Sequence, residues 1–164
     1  EAWLARRHAA AVSIPIAELD VRLFELPPKG AAVTVIAEVA NDAEIVAAVE
    51  SLRKAGWQPA VVDAASIPDD ACTSAAPRAP RPRLWQPAAL VRDAIDAIER
   101  GSLRGPGIAL DVGCGSGRDG AFLAERGWSV LGIENRAKLA IQAHAVARRY
   151  SASSGHDPFL FQIR

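Results

Sequence analysis

The sequence predicts an α/β protein in two parts, in which short apolar strands alternate with amphipathic helices. In the second part, strands are predicted over residues 108–111, 129–134 and 159–163, with helices between them. Strands that alternate with helices imply a parallel sheet with right-handed crossovers. The chain has 164 residues, of which 50% are hydrophobic, so it can form one domain or two small ones.

The second part is predicted to begin with a helix that starts near Pro87 and stops at Gly101. Its apolar residues fall on one face, which we expect to cover one side of the sheet. They are Leu90, Val91, Ala94, Ile95 and Ile98. Two further helices are predicted over residues 118–126, ended by Gly127, and over residues 137–150.

The first part reads as a separate β-α-β unit. A strand is predicted over residues 33–37, a helix over 42–55 and a second strand over 60–63. Asn41 and Glu44 have the spacing of a capping box, which predicts that the helix starts after Asn41.

A change in composition separates the two parts. Residues 64–84 contain four prolines among Ala, Ser and Asp residues, which is typical of a linker. We therefore predict a first domain over residues 1–63 and a second over residues 85–164.

The overall composition excludes several classes of protein. The formal net charge is zero, so nothing indicates a nucleic-acid or membrane partner. No apolar run approaches the roughly 18 residues of a membrane-spanning helix. Cys72 and Cys114 lie in unlike settings, so we expect no disulfide and a cytoplasmic protein. The three histidines show no ligand spacing, which predicts no metal site. The oligomeric state stays open.

The most informative motif is a glycine-rich turn after the strand at residue 108. Asp111 is followed by Gly113, Gly115 and Gly117, an acidic-x-G-x-G-x-G pattern that lets the backbone approach a ligand closely. A dinucleotide fingerprint would place a small third residue where this chain has Arg118, and no phosphate-loop lysine follows the glycines. The pattern favours a cofactor with an adenosine and no phosphates. Cys114, between two glycines, is interpreted as a packed residue.

Glu134 ends the next apolar strand and lies 21 residues after Gly113. This is close to the offset of about 20 residues at which an acidic side chain meets ribose hydroxyls. Residues 110–134 resemble the first two motifs of class I S-adenosylmethionine-dependent methyltransferases, in particular the tellurite-resistance and thiopurine types. The resemblance implies a Rossmann-like fold and methyl transfer to a small-molecule acceptor.

The resemblance also implies the site residues. Asp111 would orient the amino group of S-adenosylmethionine, the three glycines would pass beneath its methionine and ribose, and Glu134 would hold the ribose hydroxyls. In-line methyl transfer needs mainly two reactants held in place and shielded from water, so these residues are binders and the catalytic residues stay unknown.

Two other functions stay open. Such methyltransferases have a seven-stranded sheet, of which this sequence supplies about three strands, so we expect either a longer protein or a truncated relic. A relic would be a non-catalytic binding or regulatory protein. The third alternative is a nicotinamide-linked oxidoreductase.

The first part resembles the later two-thirds of a rhodanese domain, through the stretch at residues 10–19 and the strand-loop-helix that follows. A rhodanese carries its sulfur on a cysteine directly after that strand, where this sequence has Ala37. The resemblance therefore implies a module without sulfur transfer, with a scaffold or docking role. Its first strand would lie before Glu1.

Overall fold

The computed structural model describes residues 7–73, 82–101, 106–151 and 161–164, which fold as two α/β units. Unit 1 contains residues 7–73 and 82–85, and unit 2 contains the described residues from 86 onward. The α/β class and the parallel pairing of the predicted strands are confirmed in both units. Each unit is described by itself below.

Unit 1 is built around two parallel strands joined by a helix. In chain order its elements are β1 (Arg7–His8), α1 (Leu19–Arg22), β2 (Ala32–Ala37), α2 (Ala43–Lys54), β3 (Gln58–Asp63) and β4 (Cys72–Thr73). Strand β2 pairs with β3 along its whole length, and β1 forms a separate antiparallel pair with β4. Residues 64–73, in the stretch predicted to be linker, thus form short turns and a strand, whereas residues 74–81 lie outside the described residues.

The start of α2 differs from the sequence prediction by one residue. Asp42 is the N-cap, and its Oδ1 accepts the backbone N–H of Glu44 at 2.8 Å. The predicted capping box on Asn41 is wrong. The N-cap is the residue with a non-helical backbone directly before the first turn, and Asp42 has this extended conformation. This carboxylate satisfies one of the free N–H groups at the helix start.

The core of unit 1 gathers where α2 packs on the sheet. Leu26, Leu52 and Trp57 are buried together, and the indole N–H of Trp57 donates to the carbonyl oxygen of Pro27 at 2.8 Å. A buried indole needs such an acceptor. The bond therefore fixes the segment before β2 against the end of α2.

Unit 2 alternates helices and strands as predicted. Its elements are α3 (Ala89–Arg100), β5 (Ile108–Val112), α4 (Arg118–Glu125), β6 (Ser129–Ile133), α5 (Ala137–Ser151) and β7 (Phe161–Ile163). The three strands are parallel in the order β5-β6-β7, with Ile108 opposite Ser129 and Val112 opposite Ile133. The predicted third strand began at residue 159, and residues 159–160 lie outside the described residues.

The two faces of this sheet differ strongly in exposure. Helices α4 and α5 contact each other and the sheet, and Val130 on the covered face is 3% exposed. On the opposite face of the edge strand, Ile108, Leu110 and Val112 are 86%, 60% and 72% exposed. Successive side chains of a strand point to opposite faces, so helices on one side bury only alternate residues.

Helix α3 forms where it is predicted but buries little of its apolar face. Ile95 is buried, whereas Leu90 at the other end of the stripe is 81% exposed. Instead, charged contacts hold α3 to α4, since Asp96 and Glu99 accept hydrogen bonds from Arg126 at 2.6 and 2.9 Å. Ile95 is thus the one buried residue of the apolar face that was expected to cover the sheet.

Candidate functional site

The glycine loop, which we define as residues 113–117 between β5 and α4, is fixed to the end of the neighbouring strand. The backbone N–H groups of Gly113 and Cys114 both donate to the carbonyl oxygen of Ile133, at 2.8 and 3.0 Å. A bond from the N–H of Gly117 to the carbonyl of Cys114, at 2.9 Å, closes the turn before α4. The loop thus lies beside the carboxyl end of β6, the edge at which parallel α/β sheets bind ligands.

The glycines of this loop are required by its backbone conformation. Gly113, Gly115 and Gly117 have φ angles of 75°, 58° and 79°, a left-handed region that other residues rarely adopt. A Cβ added at Gly113 would meet no atom within 4 Å, and one at Gly115 would meet only the carbonyl oxygen of Gly113 at 4.0 Å. The space above these two glycines is therefore open to a ligand.

Glu134 faces the glycine loop from the end of β6. Its side chain is 1% exposed, and its Oε2 accepts the backbone N–H of Gly115 at 2.9 Å. Its Oε1 accepts the backbone N–H and the Nε of Arg136, at 2.9 and 3.1 Å. The structure therefore brings the carboxylate and the loop, which are separate in sequence, into direct contact.

These donors keep Glu134 ionised. Hydrogen bonds from the side chain and the backbone of Arg136 lower the pKa of Glu134 to about 2, with a smaller contribution from the N–H of Gly115 and against the opposing effect of burial. A carboxylate that is charged at neutral pH is a strong acceptor for hydroxyl groups. Arg136 was missed in the sequence analysis, because its role depends on a side-chain conformation that no motif encodes.

Asp111 lies within β5, on the sheet face that the helices cover. Burial raises the pKa of Asp111, as does the nearby charge of Asp119, while a hydrogen bond from the backbone N–H of Gly120 opposes them. Its Oδ2 is buried and has no hydrogen-bond partner. A buried oxygen without a donor is costly, so an N–H group that reached this atom would form a favourable hydrogen bond.

Cys114 is buried in the glycine loop, in agreement with its interpretation from the sequence as a packed residue. The side chain is buried, and burial together with the negative charges of Asp111 and Glu134 raises the pKa of its thiol. Because the thiolate is the reactive form, this raised pKa lowers the reactivity of the thiol at neutral pH.

The first turn of α4 contains one charge of each sign, on Arg118 and Asp119. Asp119, in the first turn, accepts the backbone N–H of Ala88 at 2.7 Å, which ties the residue before α3 to the glycine-loop helix. Arg118 beside it is exposed. The contact between Asp119 and Ala88 joins residues 31 positions apart and has no local sequence signal.

The corresponding loop of unit 1 offers no comparable chemistry. Residues 38–42 follow β2 and contain no cysteine, and the preceding Ala37 is buried. A cavity of about 670 Å³ adjoins β2, and its lining is mostly aliphatic, with His8 as its one titratable side chain among the described residues. Unit 1 therefore shows no nucleophile in the loop that a sulfur transferase would use.

Neither a protein-family model nor a curated protein matches the chain. Within the described ranges, no helix is long and apolar enough to cross a bilayer, and no group of three or more potential ligands is placed to hold a metal ion. The function is therefore inferred from the geometry of the site itself.

Proposed function

We propose that unit 2 binds S-adenosylmethionine and is the cofactor-binding part of a methyltransferase that acts on small molecules. The observation that carries the proposal is the contact between Glu134 and Gly115, at 2.9 Å, beside open space above the glycine loop. An acidic side chain at this edge of a parallel sheet is suited to hold ribose hydroxyls. The unpartnered Oδ2 of Asp111 adds an acceptor for an amino group.

The chain's own residues would bind and orient the cofactor. Glu134 would accept hydrogen bonds from the ribose, the glycine loop would allow close approach of the backbone, and Asp111 would accept from the amino group. The cofactor supplies an activated methyl group on a sulfonium, which a nucleophilic atom of the acceptor attacks in line. Because the proposed roles are binding roles, no residue here is assigned as a general base.

The charge around α4 supports this cofactor over a nicotinamide dinucleotide. A pyrophosphate would have to sit at the N-terminus of the helix after the glycine loop. Here that first turn holds the carboxylate of Asp119, with Asp111 close enough to interact with it electrostatically. These two carboxylates outnumber the one cation of that turn, Arg118, so the local charge disfavours a pyrophosphate and tolerates an uncharged thioether or a positive sulfonium.

Binding without methyl transfer is the second candidate, and the exposed face of β5 favours it. Val112, directly before the glycine loop, and Leu110 and Ile108 further along the same face are exposed, without cover among the described residues. Methyl transfer needs an acceptor site that excludes water. For unit 1 we propose a scaffold role, because its loop 38–42 lacks the cysteine that sulfur transfer needs.

The test is isothermal titration of the full chain with S-adenosylhomocysteine and, separately, with NADH. We expect saturable binding of S-adenosylhomocysteine and no measurable binding of NADH. Stronger binding of NADH would support the oxidoreductase, and no binding of either ligand would contradict the proposal. Where S-adenosylhomocysteine binds, transfer of a labelled methyl group to a panel of small thiols and amines separates the enzyme from the binding protein.

A further inference from the structure

The hydrogen bonds to Glu134 leave little capacity for a ligand. A carboxylate has about four lone-pair sites. Three N–H donors of the protein already occupy three of these sites: Gly115 on Oε2, and the backbone and Nε of Arg136 on Oε1. A pair of vicinal hydroxyls needs two acceptor sites, so one of these donors must be displaced when a ribose binds.

The three donors differ in how easily they can move. The N–H groups of Gly115 and Arg136 are part of the backbone, and the loop and the start of α5 fix their positions. The guanidinium of Arg136 belongs to a side chain that is 69% exposed. When hydroxyl groups replace the guanidinium on Oε1, the buried carboxylate stays hydrogen-bonded and the guanidinium is hydrated by water, so the exchange costs little.

We propose that the Arg136 side chain is a displaceable cover on Glu134, which competes with the vicinal hydroxyls of a ribose for Oε1. The inference deepens the proposed function and depends on it. By this competition, Arg136 lowers the affinity of the site for every ligand. The site then selects ligands whose hydroxyl groups can replace the guanidinium on Glu134. It also explains why the carboxylate side chain is only 1% exposed beside open space.

The consequence is opposite to the usual effect of removing a binding-site contact. Arg136→Met keeps most of the apolar stem and removes the guanidinium, so binding of S-adenosylhomocysteine should become tighter, by up to about five-fold. Lys138→Met is the matched control, because Lys138 is an exposed cation two positions further on. It removes the same charge without touching Glu134, and we expect unchanged affinity.

The experiment has one arm with ligand and one without. In the first, both variants and the wild type are titrated with S-adenosylhomocysteine and with its 2′-deoxy analogue, and the gain for Arg136→Met should shrink with the analogue. In the second, NMR follows the Glu134 carboxyl of the unliganded protein during acidification. Arg136→Met should raise its pKa from about 2 towards the ordinary value, whereas Lys138→Met should leave it in place.

The outcomes separate this inference from the function on which it depends. If the wild type binds S-adenosylhomocysteine and Arg136→Met binds it equally or more weakly, the cover is contradicted and the cofactor site stands. An unchanged Glu134 pKa in Arg136→Met would also contradict it. If no protein binds the ligand although the pKa shifts, the proposed function is wrong, and with it the competition.

Discussion

Units 1 and 2 contain the same strand-loop-helix arrangement with opposite loop chemistry. In unit 1, the loop after β2 ends in Asp42, whose side chain accepts the N–H of Glu44 at the start of α2. In unit 2, the loop after β5 consists largely of glycines, and Gly117 at the start of α4 provides no side-chain cap. The loop of unit 1 thus caps its own helix, whereas the space above the glycine loop of unit 2 is open.

The difference shows that one topology can carry unlike loop chemistry. Both loops follow a parallel strand, yet among the described residues a carboxylate reaches the loop from the neighbouring strand only in unit 2, where Glu134 contacts Gly115. Function depends on the residues placed on a fold rather than on the fold. Changing these residues one at a time tests which of them matter for binding.

The largest effect is expected for Glu134→Gln. The amide keeps the size of the side chain but loses the charge and one acceptor, so affinity for S-adenosylhomocysteine should fall by about ten- to a hundred-fold. Glu50→Gln, on an exposed position of α2, serves as the control and should bind normally. Titration calorimetry measures both, and equal affinities would remove Glu134 from the site.

The next effect compares two glycines that differ only in the loop to which they belong. Gly113 and Gly30 have φ angles of 75° and 87°, and an added Cβ meets no atom within 4 Å at either position. Alanine at each should cost about 1–2 kcal/mol of stability because of the left-handed backbone. Only Gly113→Ala should also weaken ligand binding, by about ten-fold, since its methyl group lies where the ligand approaches. Parallel losses of affinity in both variants would show that the effect is one of stability.

Asp111→Asn should weaken binding and stabilise the unliganded protein. The raised pKa of Asp111 means that folding disfavours its charged form, so removing the charge beside Asp119 should raise the melting temperature at neutral pH by a few degrees. The advantage should shrink as the pH falls through this raised pKa, because the wild-type carboxyl then carries a proton too. A lower melting temperature with unchanged affinity would assign Asp111 a purely structural role.

The smallest effect is expected in unit 1. Asp42→Ala removes the cap of α2 and should lower the free energy of unfolding by about 0.5–2 kcal/mol without changing ligand affinity. Asn41→Ala should have almost no effect, although the sequence favours Asn41 as the cap. Chemical denaturation of the two variants decides between the residues, and a larger loss for Asn41→Ala would contradict the structure.

The sequence predicts most of the fold because the strands and helices have clear periodic patterns. Residues 108–112 and 129–133 form parallel strands close to the predicted limits, and α2 and α5 differ from prediction by one residue at each described end or less. The exposed position of Leu90 was not predicted, because an apolar face indicates what a helix can bury and not what is present to cover it. Helix caps depend on the conformation of single residues, which explains the choice of Asn41 over Asp42.

The site is predictable only where it follows from a motif or from a defined spacing between motifs. The glycine loop and Glu134 are visible as a motif with a defined spacing, and their side-by-side position follows from parallel strands ending at one edge. The guanidinium of Arg136 on Glu134 and the bond between Asp119 and Ala88 depend on rotamers and on long-range packing. No pattern of residue types encodes them.

The most direct test of the central claim is an NMR titration of the full chain with S-adenosylhomocysteine, observing backbone amides. The structure predicts the largest shifts at Gly115 and Arg136, whose N–H groups donate to the Glu134 carboxylate, and at Gly113 in the same loop. These shifts should be lost in Glu134→Gln. Shifts confined to other residues, or shifts that persist in Glu134→Gln, would contradict the assignment of the glycine loop and Glu134 to one ribose-binding site.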